Sequence, residues 1–207
     1  MTPTARRMMK SKRLHLPTPK TCVKYSVEAA KNARDLRAVA AEAVRLGHFG
    51  TAVSVEILAL EEAAKAQALG MRAIFASLHP SIQVPVKGLE DVLQRRHGIR
   101  YRFAAWQIVQ RRLVELSGET TGREVTMLEA TTAVAKQLRW LRKADRLRER
   151  GFYVDPHSGK SPSEMTRDDY DEAAAITEPY VSVTLEQAGL VPPKTPEARS
   201  RRISLGR

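Results

Sequence analysis

Two side chains that could take part in acid–base chemistry, those of His97 and Arg100, lie one helical turn apart in the sequence. The five histidines form no HxxxH or HExxH pair, and the single cysteine cannot build a thiolate cage for a metal. The sequence also has no glycine-rich loop of the kind that cradles phosphate groups. It therefore predicts no metal or other cofactor, and leaves acid–base chemistry on imidazole and guanidinium groups, or no chemistry at all.

The stretch around these two residues is basic and has two interpretations. Residues 95–112 contain no acidic residue, and Tyr101 and Phe103 alternate with basic side chains. Six arginines form this basic patch: Arg95, Arg96, Arg100, Arg102, Arg111 and Arg112. Arginines beside aromatic rings are typical of surfaces that bind single-stranded RNA. The alternative is pairing within the chain, because residues 164–186 carry seven acids and one arginine.

A second group of polar residues lies within the most apolar stretch, residues 48–69. Its Ala, Val, Ile and Leu side chains spread around the whole helical circumference, which predicts a central helix surrounded by other elements. Ser54, Glu61 and Lys65 share one face of this helix, and Glu62 lies about 100° away. A buried carboxylate needs a partner, so we predict an ion pair between Glu61 and Lys65, four residues apart. This polar seam either joins helices or lines a site.

The remaining patterns predict an all-α fold, an antiparallel bundle of about five helices with no convincing strand. The first helix begins near Val27 after an N-cap at Ser26, and Asn32 is expected at the edge of its buried face. Gly70 is either an interior point or a break in the central helix. The other helices are predicted over residues 89–116 and 125–150 and after the capping residue Thr166.

Most of the net charge of +12 lies at the two ends of the chain. Residues 1–24 contain seven basic and no acidic residues, and residues 194–207 contain five basic residues and one acid. With prolines near both ends, we predict a disordered basic arm over 1–24, a helical domain over 25–190 and a basic tail over 191–207. Such arms either hold nucleic-acid phosphates or only keep the protein solvated.

Cysteine content and hydropathy indicate the compartment. The single cysteine, Cys22, excludes an internal disulfide, which favours a reducing environment. The sequence has no apolar run of about eighteen residues and no signal-peptide pattern. We therefore expect a cytoplasmic protein that has no membrane segment.

Three segments of the chain carry motifs that belong together. The first joins Asn32-Ala33 to a glycine-containing turn at residues 47–49 and to an Ala-Leu-Glu-Glu-x-x-Lys helix that reaches Lys65. The second is His97-Gly-Ile-Arg100, and the third is Gly151-Phe-Tyr-Val-Asp155. In this order the segments resemble those of the AbiV-type abortive infection proteins, whose second motif is His-x-x-Lys and whose third is Gly-[Leu/Phe]-Tyr-Val-Asp. The resemblance covers residues 26–189.

The resemblance implies an HEPN-like helical bundle that acts as a homodimer in defence against phages. Many HEPN proteins are metal-independent ribonucleases in which a histidine moves the proton of the attacking 2′-hydroxyl and an arginine neutralises the developing charge. We assign these catalytic roles to His97 and Arg100, which stand in the opposite order to the family's Arg-x(4–6)-His motif. Two further pairs have that motif's longest spacing, as chance alone would give: Arg72 with His79, and Arg150 with His157.

The predicted function is that of an abortive-infection effector that cleaves or binds RNA, or blocks translation. Glu61, Glu62 and Lys65 are expected to hold the site together. Tyr153 and Asp155 are expected to lock the turn before the last helix, Tyr153 by packing and Asp155 through backbone amides. The alternative is a non-catalytic module that binds RNA or protein and inhibits a phage or host component.

Overall fold

The computed structural model describes residues 18–78, 92, 97–119, 124–154 and 161–190. These ranges contain seven α-helices, one 3-10 turn and no strand, which confirms the all-α prediction. The helices are α1 (Pro19–Arg45), α2 (Phe49–Leu78), α3 (His97–Glu119), α4 (Met127–Ala133), α5 (Ala135–Leu141), α6 (Ala144–Phe152) and α7 (Arg167–Gln187), and the 3-10 turn is Pro162–Glu164. None of these helices combines the length and the apolar character needed to cross a bilayer. The tail predicted over 191–207 lies outside the described residues, as does most of the predicted arm.

Helix α1 begins earlier than predicted. Thr18 provides the N-cap, and Pro19 at the first helical position has a backbone already suited to a helix start. Residues 19–24 are therefore helical, and their assignment to a disordered arm was wrong. Ser26, predicted as the N-cap, instead lies within α1 and donates a hydrogen bond to the Ala66 carbonyl oxygen at 2.7 Å, which joins α1 to α2.

Helix α2 is the centre of the bundle, as its apolar circumference predicts. Side chains on every side of it are buried, and it packs against α1, α3, α6 and α7. It follows α1 through a tight turn in which Gly47 has a φ of 78°, a conformation that favours glycine after a helix end. Gly70 does not break α2, which runs on to Leu78.

The predicted fourth helix is three helices. It is interrupted at Val134 and at residues 142–143, where the sequence has neither glycine nor proline. Val134 is buried with Val109 of α3 and Ala130 of α4, so the break lets α4 and α5 follow the surface of α3. The prediction of a single helix over 125–150 was wrong, because this packing outweighs the local helix propensity.

Helix α7 follows its local signals. Thr166 and Asp169 form a capping box at its start. The side chain of each residue accepts a hydrogen bond from the backbone N–H group of the other. Pro179 lies inside the helix without ending it, and Gly189, with a φ of 74°, follows its C-terminus. The capping residues named from the sequence are thus found at both ends of α7.

Two glycines bring α6 and the 3-10 turn close to α2. A Cβ atom on Gly151 would lie 2.1 Å from the Gly50 carbonyl oxygen and 2.1 Å from Ser54 Oγ. A Cβ atom on Gly50 would lie 2.5 Å from the Pro162 carbonyl oxygen. The helix predicted over 125–150 stops just before Gly151, but α6 continues to Phe152, and the glycine allows the close approach of α6 to α2.

A buried acid ties α1 and α7 to α2. Glu56 is fully buried, and its Oε1 accepts a hydrogen bond from Arg37 Nε of α1 at 3.0 Å. The hydroxyl of Thr177 in α7 donates to the same oxygen. This group stabilises the side of the bundle opposite to the α3–α6 contact and was not identified from the sequence.

Candidate active site

Glu61 lies in the middle of α2 with its carboxylate inside the bundle. Its side chain is 1% exposed. Burial of an unpaired carboxylate costs several kcal/mol, so the fold must supply donors. The hydrogen-bond donors come from α3, and α6 adds a guanidinium within ion-pair distance; both helices are distant from Glu61 in the sequence.

Three donors come from the first turn of α3. The Nδ1 atom of His97 lies 2.6 Å from Glu61 Oε2, and Arg100 Nη1 donates to the same oxygen at 3.1 Å. The hydroxyl of Tyr101 donates to Glu61 Oε1 at 2.5 Å. Positions 97, 100 and 101 have i, i+3, i+4 spacing and therefore share one helix face. The start of α3 is fixed to α2 through one carboxylate.

A fourth partner of Glu61, the guanidinium of Arg148, comes from α6. Arg148 Nε lies 3.6 Å from Glu61 Oε1, and Arg148 Nη2 donates to Asp145 at 2.9 Å. The backbone of Arg148 is held as well, because Ser54 donates from its hydroxyl to the Arg148 carbonyl oxygen at 2.7 Å. The glycine contact between α2 and α6 allows this approach. Glu61 therefore joins three helices.

The hydroxyl of Tyr101 is a donor at neutral pH. Burial, and after it the neighbouring Glu61 carboxylate, raises the pKa of Tyr101 well above its ordinary value. Both effects disfavour a phenolate, the first by removing water and the second by placing two negative charges side by side. Tyr101 therefore keeps its proton and donates it in the hydrogen bond to Glu61.

His97 is the member of this group that combines a fixed orientation with access to solvent. Its side chain is 38% exposed, whereas that of Arg100 is 8% exposed. An ionised carboxylate accepts hydrogen bonds, so the contact with Glu61 assigns the proton of the neutral imidazole to Nδ1. The other nitrogen, Nε2, is then the basic one. A carboxylate that orients a histidine in this way is a common arrangement in acid–base catalysis.

Arg100 does not suit the catalytic role predicted for it. Its guanidinium is buried, and it donates to Glu61 and, through Nε, to the Val92 carbonyl oxygen at 3.2 Å. A substrate phosphate would have to displace these partners to reach it. The structure does bring Arg100 and His97 together around Glu61, but of the two only His97 reaches solvent.

The predicted Glu61–Lys65 pair is not formed. Lys65 instead pairs with Glu62 at 2.5 Å, and both side chains of that pair are partly exposed. Asn32 is exposed on α1, and Tyr153 is 68% exposed next to the ring of Phe152. Tyr153 therefore does not lock a turn by packing. Asp155 lies outside the described residues.

The basic patch is divided by the fold. Arg102 is exposed, and Arg95 and Arg96 lie outside the described residues, as do His79 and His157. Arg111 and Arg112 pair with acids of their own helix, Arg111 with Glu115 at 2.8 Å and Arg112 with Glu115 and Glu119. Pairing within the chain is thus found for these two arginines, but within α3 and not with the acids of α7.

Sequence reasoning missed Tyr101 and Arg148 as partners of Glu61. Tyr101 had a usable signal, because it lies four residues after His97 and shares its helix face. Arg148 had none, since its approach depends on the glycine contact between α2 and α6. Within the described ranges, no three His, Cys, Asp or Glu side chains are grouped so that they could hold a metal ion.

The fold and this centre define a class, an α-helical bundle with a buried group of charged side chains. The sequence model of the HEPN_AbiV family, described as AbiV, matches residues 21–178. The chain therefore belongs to the HEPN_AbiV family. A comparison with curated proteins and one with solved structures each gave no match.

Proposed function

We propose that this protein is a cytoplasmic abortive-infection effector that cleaves RNA without a metal ion, with His97 as the general base. The observation that carries the proposal is the 2.6 Å contact between His97 Nδ1 and the buried Glu61, on a ring that remains 38% exposed. Membership of the HEPN_AbiV family supports the role in abortive infection. The basic surface of α3 around Arg102 favours an anionic substrate.

The proposed reaction needs only the RNA and water. His97 Nε2 takes the proton of a ribose 2′-hydroxyl, and the 2′-oxygen attacks the adjacent phosphorus. The bond from phosphorus to the 5′-oxygen of the next nucleotide breaks, and that oxygen takes up a proton from solvent. His97 returns its proton to solvent. The products are one strand with a 2′,3′-cyclic phosphate and one with a 5′-hydroxyl.

In this proposal Arg100 is a positioning residue. It holds the side chain of Glu61 in place, together with Tyr101. Positive charge for the phosphorane comes from arginines that reach solvent, such as Arg102, and from a second copy of the chain in the homodimer that the family resemblance implies.

The direct test is incubation of the purified full chain with total RNA in EDTA. We expect cleavage by the unmodified protein and a loss of about 100-fold or more in rate for His97→Ala. His48→Ala is the matched control, because His48 is an exposed histidine in the turn before α2. The proposal fails if no cleavage appears, or if His97→Ala cleaves RNA as fast as His48→Ala.

A second candidate is a non-catalytic RNA- or protein-binding module that acts through its basic ends. The observation that favours it is the charge distribution, with most of the excess of +12 near the two termini. Removal of residues 1–17 and 191–207 tests it, since this leaves all the described helices intact. Loss of RNA binding in the shortened chain supports the second candidate, and unchanged binding supports a site in the bundle.

A further inference from the structure

A groove of about 560 Å³ lies between α3 and the α4–α6 segment. Its walls are largely apolar, with Val109, Leu138 and Leu141 among them. Arg102 and Arg142, both exposed, also line it. Gly98, the residue that follows His97 in α3, is also among the lining residues.

This groove shares Tyr101 with the candidate active site. Tyr101 lines the groove and donates to Glu61, the carboxylate that holds His97. Asp145 lines it as well and pairs with Arg148, which contacts Glu61 from the other side. A ligand in the groove would therefore lie beside the residues that position His97.

Gly98 has no packing contact with the described part of the chain that would explain it. It is exposed, and a Cβ atom built on it would meet no atom within 4 Å. Glycine in a helix is less favourable than alanine, so its presence is not explained by stability. A glycine at the entrance of a groove lets another molecule approach the backbone closely.

The chemistry of the groove favours a flat ring next to negative charge. Trp106 lines it, is 45% exposed and offers a face for stacking. Arg102 and Arg142 complement phosphate groups. The acid among the lining residues, Asp145, is engaged by Arg148. A nucleobase with its flanking phosphates combines these features.

We infer that this groove is a subsite for one unpaired nucleobase of single-stranded RNA, entered past Gly98 and bound against Trp106. The inference rests on the proposed function for its choice of RNA, and it adds the place where the base next to the scissile phosphate is held. Arg102 and Arg142 bind the phosphates on either side of that base. The subsite restricts cleavage to unpaired RNA, because a base in a duplex must first unpair and unstack, which costs free energy.

The test uses the full chain with His97→Ala, so that the RNA is not consumed. The probe is a single-stranded oligoribonucleotide of about six nucleotides, compared with a ribose-phosphate oligomer of equal length that lacks bases. Binding is followed by tryptophan fluorescence. Trp140 is buried, so quenching reports on Trp106 and should disappear in Trp106→Phe.

Two variants at open glycines of α3 separate groove binding from other effects. Gly98→Leu places a side chain at the groove entrance and should weaken binding of the oligoribonucleotide by about tenfold or more. Gly118→Leu is the matched control, because a Cβ atom there also meets nothing within 4 Å and Gly118 does not line the groove. Its affinity should stay within about twofold of the parent protein.

Each outcome decides the inference. The inference is supported if the oligoribonucleotide binds more tightly than the abasic oligomer and if Gly98→Leu weakens that binding. Equal binding of the abasic oligomer, or equal effects of the two leucine variants, overturns it. Quenching that grows with protein concentration and needs no RNA also overturns it, since a second copy would then occupy the groove. If the unmodified protein binds as expected but does not cleave RNA, the proposed function fails and the subsite stands.

Discussion

His97 Nδ1 and Glu61 Oε2 lie 2.6 Å apart, although 36 positions separate the two residues in the sequence. Glu61 is on the central helix α2 and almost fully buried, while His97 is at the start of α3 and partly exposed. A buried carboxylate with three further partners cannot turn away easily, so it fixes both the orientation and the tautomer of the imidazole. The same contact therefore stabilises the bundle and, in the proposed reaction, orients His97 as the base.

Removal of the negative charge at position 61 should destabilise the protein strongly. In Glu61→Gln, Arg100 and Arg148 lose the carboxylate between them, and Arg100 is buried. We expect a loss of about 3–5 kcal/mol in the free energy of unfolding, measured by urea denaturation. Glu62→Gln is the matched control, since Glu62 forms a partly exposed pair with Lys65 and should cost less than about 1 kcal/mol. Equal losses in the two variants would contradict this account of Glu61.

Two buried tyrosines should respond differently to the loss of the hydroxyl. Tyr101→Phe leaves Glu61 Oε1 without its shortest hydrogen bond and should cost about 1–3 kcal/mol at neutral pH. The hydroxyl of Tyr180 is buried without a hydrogen-bond partner among the described residues. Tyr180→Phe should therefore be neutral or slightly stabilising. Urea denaturation of both variants decides this, and a larger loss for Tyr180→Phe would show that its hydroxyl has a partner.

The cost of Tyr101→Phe should shrink at alkaline pH. Because the pKa of Tyr101 is raised in the folded protein, the unfolded chain releases the phenol proton first, at about pH 10. Above that pH the folded state binds more protons, so stability falls by up to about 1.4 kcal/mol per pH unit for this group. The phenylalanine variant lacks that loss. Urea denaturation at about pH 8 and about pH 11 should show a narrower gap between the two proteins at the higher pH. A constant gap would contradict the raised pKa.

The fold was largely predictable because its signals are local. The apolar circumference of α2, the glycine at position 47 and the Thr166 capping box each depend on residues a few positions apart. The break at Val134 was not predictable, since it has no local signal and follows from packing on α3.

The sequence allowed several residues of the site to be predicted, but not the contacts between them. His97, Arg100 and Glu61 were all named from the sequence, and the fold brings them together. The partner of Glu61 was mistaken, because Lys65 satisfies the helical spacing and Arg148 approaches only through tertiary contacts. The choice between two acids adjacent in sequence, Glu61 and Glu62, is made by the position of α3.

Gly151 should tolerate no side chain. In Gly151→Ala the new Cβ would lie 2.1 Å from the Gly50 carbonyl oxygen, so α6 would have to move away from α2. We expect a loss of about 1–3 kcal/mol or more in stability, because the contact between α6 and α2 would be disrupted. Gly118→Ala, at an open position of α3, should instead stabilise the protein by up to about 1 kcal/mol. Thermal unfolding of both variants checks this pair, and a Gly151→Ala protein as stable as the parent would contradict the packing of α6.

The central claim is that His97, held by Glu61, removes the proton of a ribose 2′-hydroxyl. The most direct measurement is the mass of the fragment ends that form when a defined single-stranded RNA is incubated with the protein in EDTA. We predict 2′,3′-cyclic phosphate and 5′-hydroxyl ends, no cleavage at 2′-O-methyl positions, and a rate lower by about 100-fold or more in His97→Ala. Cleavage of 2′-O-methyl RNA, 3′-hydroxyl ends, or an unchanged rate in His97→Ala would contradict it.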